Sequence, residues 1–243
     1  MSHQKLSLNT LSSLENISTY PKQFEGVHVF WASTSSFLQE KDSFSSLLSV
    51  EEKEKMNRFS TESLSWLYEI AHGLLRAFLS HYLTESPLDI PISHTQKGKP
   101  FIEQVPLFFN LSHTHEGVLL GFSWESVVGV DVEYTARPHL DALSIAKRYF
   151  HPREYEKLIS LPPKKQDFAF YRVWTQKEAL LKATGEGIAE HLGQYEMSCL
   201  PKESPALLFS ENKKIDPSQW HLSLFEPAPS YLGAVAFCDD TLC

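Results

Sequence analysis

The chain of 243 residues is 42% hydrophobic and 12% aromatic, enough apolar material to bury a core as one large domain or two small ones, which excludes disorder of the whole chain. A formal net charge of −8 argues against nucleic acid as the main partner. Cys199, Cys238 and Cys243 have no metal-ligand spacing and are too few for a disulfide framework, so they read as ordinary thiols; with no basic-then-apolar leader and no apolar run of membrane length, a cytoplasmic protein without a membrane partner is expected.

Residues 27–32, "VHVFWA", read as a first strand, and "SVEEKEKMNRF" as a charged helix introduced by Ser49. From about 61 to 83, Leu64, Leu67, Tyr68, Ala71, Leu74, Leu75, Phe78 and Tyr82 recur at helical spacing and predict a long amphipathic helix. The Pro- and Gly-punctuated "SPLDIPISHTQKGKPF" precedes three short β-rich runs, "LFFNLSH", "GVLLGFSW" and "VVGVDVE", spaced closely enough for antiparallel hairpins. Two short helices, "LDALSIAKRYF" and "PREYEKLISL", lead to a longer one over about 166–184 that stops at Gly185. "YEMSCL", "WHLSLF" and "YLGAVAFC" close the chain as strands. "AHGLLRA" (71–77) resembles "KEALLKA" (177–183) at the same part of each long helix, a hint of internal duplication. The fold expected is α+β: two similar subdomains in one chain, 1–125 and 126–243, forming a monomeric pseudo-dimer of antiparallel sheets and long helices. A ligand cleft is expected between them.

Two stretches carry chemistry. In "SVVGVDVEY", residues 126–134, strand alternation puts Val128, Val130 and Val132 on one face and Gly129, Asp131 and Glu133 on the other. The two acids are then roughly 7 Å apart along the backbone, an arrangement that asks for open water or for a cation between them. In "WTQKEALLKATGEG", residues 174–187, Glu178 and Lys182 are one helical turn apart, with Tyr171 and Thr175 on the same stripe. That spacing is also the ordinary stabilising surface pair, worth a few tenths of a kcal/mol. His113 and His115 in "SHTH" would share one strand face and, with Asp131, leave a zinc hydrolase open.

Together, "GVDVEY" and, some forty residues later, "WTQKEALLKATGEG" resemble the signature pair of the 4'-phosphopantetheinyl transferases of the long single-chain type. "GKPFI" (98–102) and "FFNLSHT" (108–114) fall where that family carries its Gly-Lys-Pro and Asn-x-Ser-His elements. The resemblance implies transfer of the phosphopantetheine arm of coenzyme A to a serine of an acyl or peptidyl carrier protein, releasing adenosine 3',5'-bisphosphate. It implies Mg²⁺ on Asp131, Glu133 and Glu178, with Glu178 also the general base and Lys182 steadying the pyrophosphate. Lys99 would lie along the nucleotide and Ser112 and His113 against its phosphates, helped by Lys55, Arg58 and Arg76. Where many members carry basic residues in the first long helix, this chain has Ser65, Trp66 and Leu67, which puts the family's 3'-phosphate grip in question. Trp174 reads as a core anchor, and Lys147, Arg148 and Arg153 as a docking patch for an acidic carrier. A non-catalytic carrier-binding homologue is the other alternative.

Overall fold

The computed structural model describes residues 5–138, 140–187 and 191–239. The chain enters through β1 (Leu6–Leu11), partly exposed and therefore without a clear alternation to announce it, which lies parallel to β2 (Val27–Ser33). Helices α1 (Lys41–Leu47), α2 (Val50–Met56) and α3 (Glu62–Leu83) follow. The short ribbon β3 (Ser93–His94) and β4 (Pro100–Phe101) leads to the hairpin β5 (Phe108–Thr114) and β6 (Gly117–Ser123). After β7 (Val128–Tyr134) come α4 (Ala142–Tyr149), α5 (Pro152–Ile159) and α6 (Pro163–Thr184). The small pair β8 (Tyr195–Met197) and β9 (Leu207–Ser210), then β10 (Trp220–Phe225) and β11 (Tyr231–Cys238), complete the fold.

Local chemistry sets the helix ends. Ser49 and Glu52 form a reciprocal cap on α2: Glu52 N donates to Ser49 Oγ at 3.2 Å and Ser49 N to Glu52 Oε2 at 2.8 Å. Pro163 opens α6, and Gly185, at φ 73°, ends it by donating its N–H to Leu181 O at 2.9 Å.

β7 does not extend the β5–β6 hairpin: β6 is flanked by β2 and β5, so both its edges are taken, and β7 pairs antiparallel with β11 instead. The result is two sheets, β1-β2-β6-β5 and β10-β11-β7. Phe30, Ala32, Val118, Leu120 and Phe122 pack under α3. The opposite face of that sheet presents Val27, Val29, Trp31 and Leu119 to Val128, Val130, Val132 and Val235 of the second. Ala234 and Ala236 on the far face of the second sheet join the core around α6. The layers therefore run helix, sheet, sheet, helix, and the acid-bearing face of β7 looks at α6.

Cys199 is a buried free thiol. Cys238 is disulfide-bonded and not the plain thiol expected, because a count of cysteines cannot say which of them meet; Cys243 lies outside the described residues. No helix among the described residues is long and apolar enough to cross a membrane.

Candidate active site

The site begins where β7 meets α6. A Cβ added at Gly129 would come within 2.1 Å of Ala179 O and 2.4 Å of Ala183 N, so the helix backbone rests directly on the strand at this residue. That contact brings the next residues on the same face, Asp131 and Glu133, beneath Glu178 and Lys182.

The neighbouring edge is closed by side chains instead of a ladder. Asn110 Oδ1 on β5 accepts from Val130 N at 3.0 Å, and Ser112 Oγ accepts from Val132 N at 3.4 Å. Ser112 also donates to Asp131 Oδ1 at 2.9 Å and accepts from Lys182 Nζ at 2.9 Å. Lys182 Nζ reaches the same Asp131 oxygen at 2.6 Å. Asp131 is 3% exposed, and its Oδ2 is buried without a hydrogen-bond partner among the described residues. Glu133 is held on both oxygens, Oε1 by Trp174 Nε1 at 3.0 Å and Oε2 by Arg137 Nη2 at 2.7 Å.

Electrostatics follow from this crowding. Burial first, then the charge of Asp131, pushes the carboxyls of Glu133 and Glu178 up to about 7. Glu178 feels its neighbours only through space, with Lys182 partly offsetting the two acids. The cluster is not a ready-made cation cage: among the described residues no three His, Cys, Asp or Glu side chains stand at ligating geometry. It does fit a cation chemically. One buried Asp131 oxygen lacks a partner among the described residues, and burial together with the Asp131 charge raises two further acids that a cation would favour in their ionised form.

Beside Lys182 opens a cavity of about 610 Å³ lined by Lys55, Tyr68, His72, Lys97 and Lys99 among others. Lys99 lies on its wall, where its Nζ donates to Ala183 O at the end of α6, and burial lowers its pKa to about 8. Lys55 lies 5.3 Å from the centroid of the Tyr68 ring. Arg76 lines the cavity without a spare charge, because Glu52 Oε2 at 2.6 Å and Pro87 O at 2.6 Å hold it. Arg58 stands apart, exposed, 3.9 Å from Glu54. Ser65 bonds Met56 O at 3.1 Å, and Trp66 packs on Phe44. His113 keeps an exposed edge, yet partial burial and the nearby His72 and Lys182 push it down to about 4, so it is neutral at pH 7. His115 lies beyond β5 at φ 53°, stacked on Tyr134 with centroids 4.4 Å apart; the turn takes it off the face it was expected to share with His113. Lys147, Arg148 and Arg153 are all exposed, and Arg153 also pairs with Glu196 at 3.2 Å.

Sequence reasoning missed Arg137 and the hydrogen bond of Trp174 to Glu133. An Arg four residues beyond Glu133 is a signal only once the chain is known to turn back at the end of β7.

A family model for the 4'-phosphopantetheinyl transferase superfamily matches residues 127–236, the half that contains Asp131, Glu133, Glu178 and Lys182. The 4'-phosphopantetheinyl transferase HetI of Nostoc sp. (strain PCC 7120) is 37% identical over 193 residues, 78% of each chain. The 4'-phosphopantetheinyl transferase Sfp of Bacillus subtilis (strain 168) is 32% identical over 158 residues, 65% of this chain and 69% of that one. Among solved structures, Helicobacter pylori holo-[acyl-carrier-protein] synthase in complex with coenzyme A matches 45% of this chain and 96% of its own, with 22% identity and a TM-score of 0.36. With the signature acids gathered at one point and a relative this similar over most of both chains, the chain belongs to the 4'-phosphopantetheinyl transferase superfamily.

Proposed function

We propose that this enzyme transfers the 4'-phosphopantetheine arm of coenzyme A to a serine of an apo acyl or peptidyl carrier protein, releasing adenosine 3',5'-bisphosphate. The observation that carries the reading is the meeting of three acids and Lys182 at the edge of a basic cavity large enough for a nucleotide.

Asp131, Glu133 and Glu178 would hold Mg²⁺, which when bound supplies charge neutralisation at the pyrophosphate. The chain's own residues do the rest. Glu178, the acid of this cluster that no side chain among the described residues holds by a hydrogen bond, takes the proton of the incoming serine hydroxyl as the general base. Lys182 places an ammonium group beside the acids, where it can follow the negative charge to the departing phosphate oxygen. Ser112 fixes Asp131 and Lys182 relative to each other. Lys55, Lys97 and Lys99 line the wall along which the nucleotide would lie, and His113, a neutral imidazole close enough to feel His72 and Lys182, would meet its phosphates. Lys147, Arg148 and Arg153, all exposed, would form the carrier-docking patch, with Arg153 shared with Glu196. No geometry favours the zinc hydrolase, since His115 turns away to Tyr134.

The chain order supports an internal repeat. The series β2, α3, β5, β6 builds a sheet ordered first-last-third, β2-β6-β5, and the series β7, α6, β10, β11 builds β7-β11-β10 in the same way. We read the protein as a monomeric pseudo-dimer of subdomains 1–125 and 126–243. Incubation with coenzyme A, Mg²⁺ and a panel of apo-carrier proteins tests the activity by mass. One added phosphopantetheine arm on a carrier is expected; no mass gain on any carrier would refute it.

A further inference from the structure

Glu133 is gripped from two sides by residues of different character. Trp174 Nε1 donates to Oε1 from α6, and its ring lies against Phe170, 5.7 Å between centroids, and near Phe150, at 6.5 Å. It is neutral and cannot leave without repacking that aromatic group. Arg137 Nη2 donates to Oε2 at 2.7 Å from the segment just beyond β7. The same nitrogen bonds Thr114 Oγ1 at 2.7 Å, tying the ends of β5 and β7 together. Arg137 is charged, and 47% of its side chain is exposed, against 15% for Glu133. It can therefore move into solvent at little packing cost, whereas Glu133 cannot.

We propose that Arg137 is an exchangeable counter-ion of the acid cluster: it neutralises Glu133 in the ligand-free enzyme and yields that oxygen to a divalent cation, while Trp174 holds the carboxylate in orientation throughout. The proposal rests on the reading of Asp131, Glu133 and Glu178 as cation-binding acids. A resident guanidinium weakens the binding of a cation alone, because its own attraction to the carboxylate must be given up. Once released, its positive charge stands beside a site that receives a pyrophosphate, so the same residue favours the anion. Cation and coenzyme A then strengthen each other's binding, and by linkage the effect is equal in both directions. Arg137 is thus a positioning residue that couples the two ligands.

Calorimetric titration of Mg²⁺ into the full chain at pH 8.5, without and with saturating coenzyme A, tests this. Arg137→Gln should bind Mg²⁺ without coenzyme A about three- to fivefold more tightly than the unmodified enzyme, the worth of a half-exposed ion pair. The gain on adding coenzyme A should shrink. Trp174→Phe should show no tightening, because no charge leaves the carboxylate. If Arg137→Gln does not fold, Arg137→Lys carries the same test with a smaller tightening. Unchanged or weaker Mg²⁺ binding by a folded Arg137 variant, in an enzyme whose Mg²⁺ binding is lost in Asp131→Asn, overturns the proposal alone. Mg²⁺ binding that is insensitive to Asp131→Asn overturns the acid reading and the proposal with it.

Discussion

The Ser112 hydroxyl has one donor and two acceptor sites, and all are used: it donates to Asp131 and accepts from Lys182 and from Val132 N–H. The resemblance implied a phosphate contact for this residue, and strand alternation could say only which face it shares. Its protein partners belong to β7 and α6, so no local pattern could name them. Ser112→Ala should cost about 1–3 kcal/mol of stability, because a buried N–H loses a partner, and should lower kcat while leaving coenzyme A affinity nearly unchanged. Isothermal binding beside steady-state kinetics checks it. A weakened coenzyme A affinity with kcat intact would make Ser112 a phosphate ligand after all.

At the scale of elements, the contact of α6 on β7 depends on Gly129. An added methyl would meet Ala179 O and the Ala183 backbone, which are not free to rotate away. Gly129→Ala should therefore destabilise by about 1–3 kcal/mol or more and reduce activity further than stability alone explains, since the shift separates Glu178 from Asp131. Melting curves and rates measured well below the melting temperature would show this; an active variant of unchanged stability would contradict the close contact. The first half has its own anchor in Glu52, which joins α2 to α3 through Arg76 at 2.6 Å and His72 at 3.7 Å. Burial alone would raise this carboxyl, but the nearby His72, the hydrogen bond and charge of Arg76 and the Ser49 N–H outweigh it and hold it at about 2, against an ordinary 4.5. A depressed folded pKa means that the unfolded chain takes up the proton first. The stabilisation is whole above pH 4.5 and is lost as pH falls through 2. Glu52→Gln should lower the melting temperature at pH 7 and flatten its decline between those values. An acid limb identical to that of the unmodified protein would remove the anchor.

Across the whole molecule, the elements with a strong period were legible: the long helices α3 and α6 and the face alternation of β7 all appear as the sequence implied. What the sequence could not convey was pairing. β7 lies beside β11 because β6 has no free edge, and β1 runs parallel to β2 although its half-exposed side chains give little alternation. Asp131 and Glu133 stood out because two valine-flanked carboxylates on one strand face are chemically expensive, but their role and that of Glu178 came from the resemblance of the two stretches taken together; Arg137 and the Trp174 hydrogen bond were not legible, because only folding brings them to Glu133. Within the assembled site, Glu178 is proposed as the base that activates the carrier serine. Single-turnover transfer from coenzyme A to a carrier, with coenzyme A binding measured in parallel, tests that most directly in Glu178→Gln. The rate should fall by roughly 10²- to 10⁴-fold while coenzyme A still binds within about tenfold, because the cavity wall is untouched. An unchanged transfer rate in the folded variant would contradict the assignment of α6 to the active site.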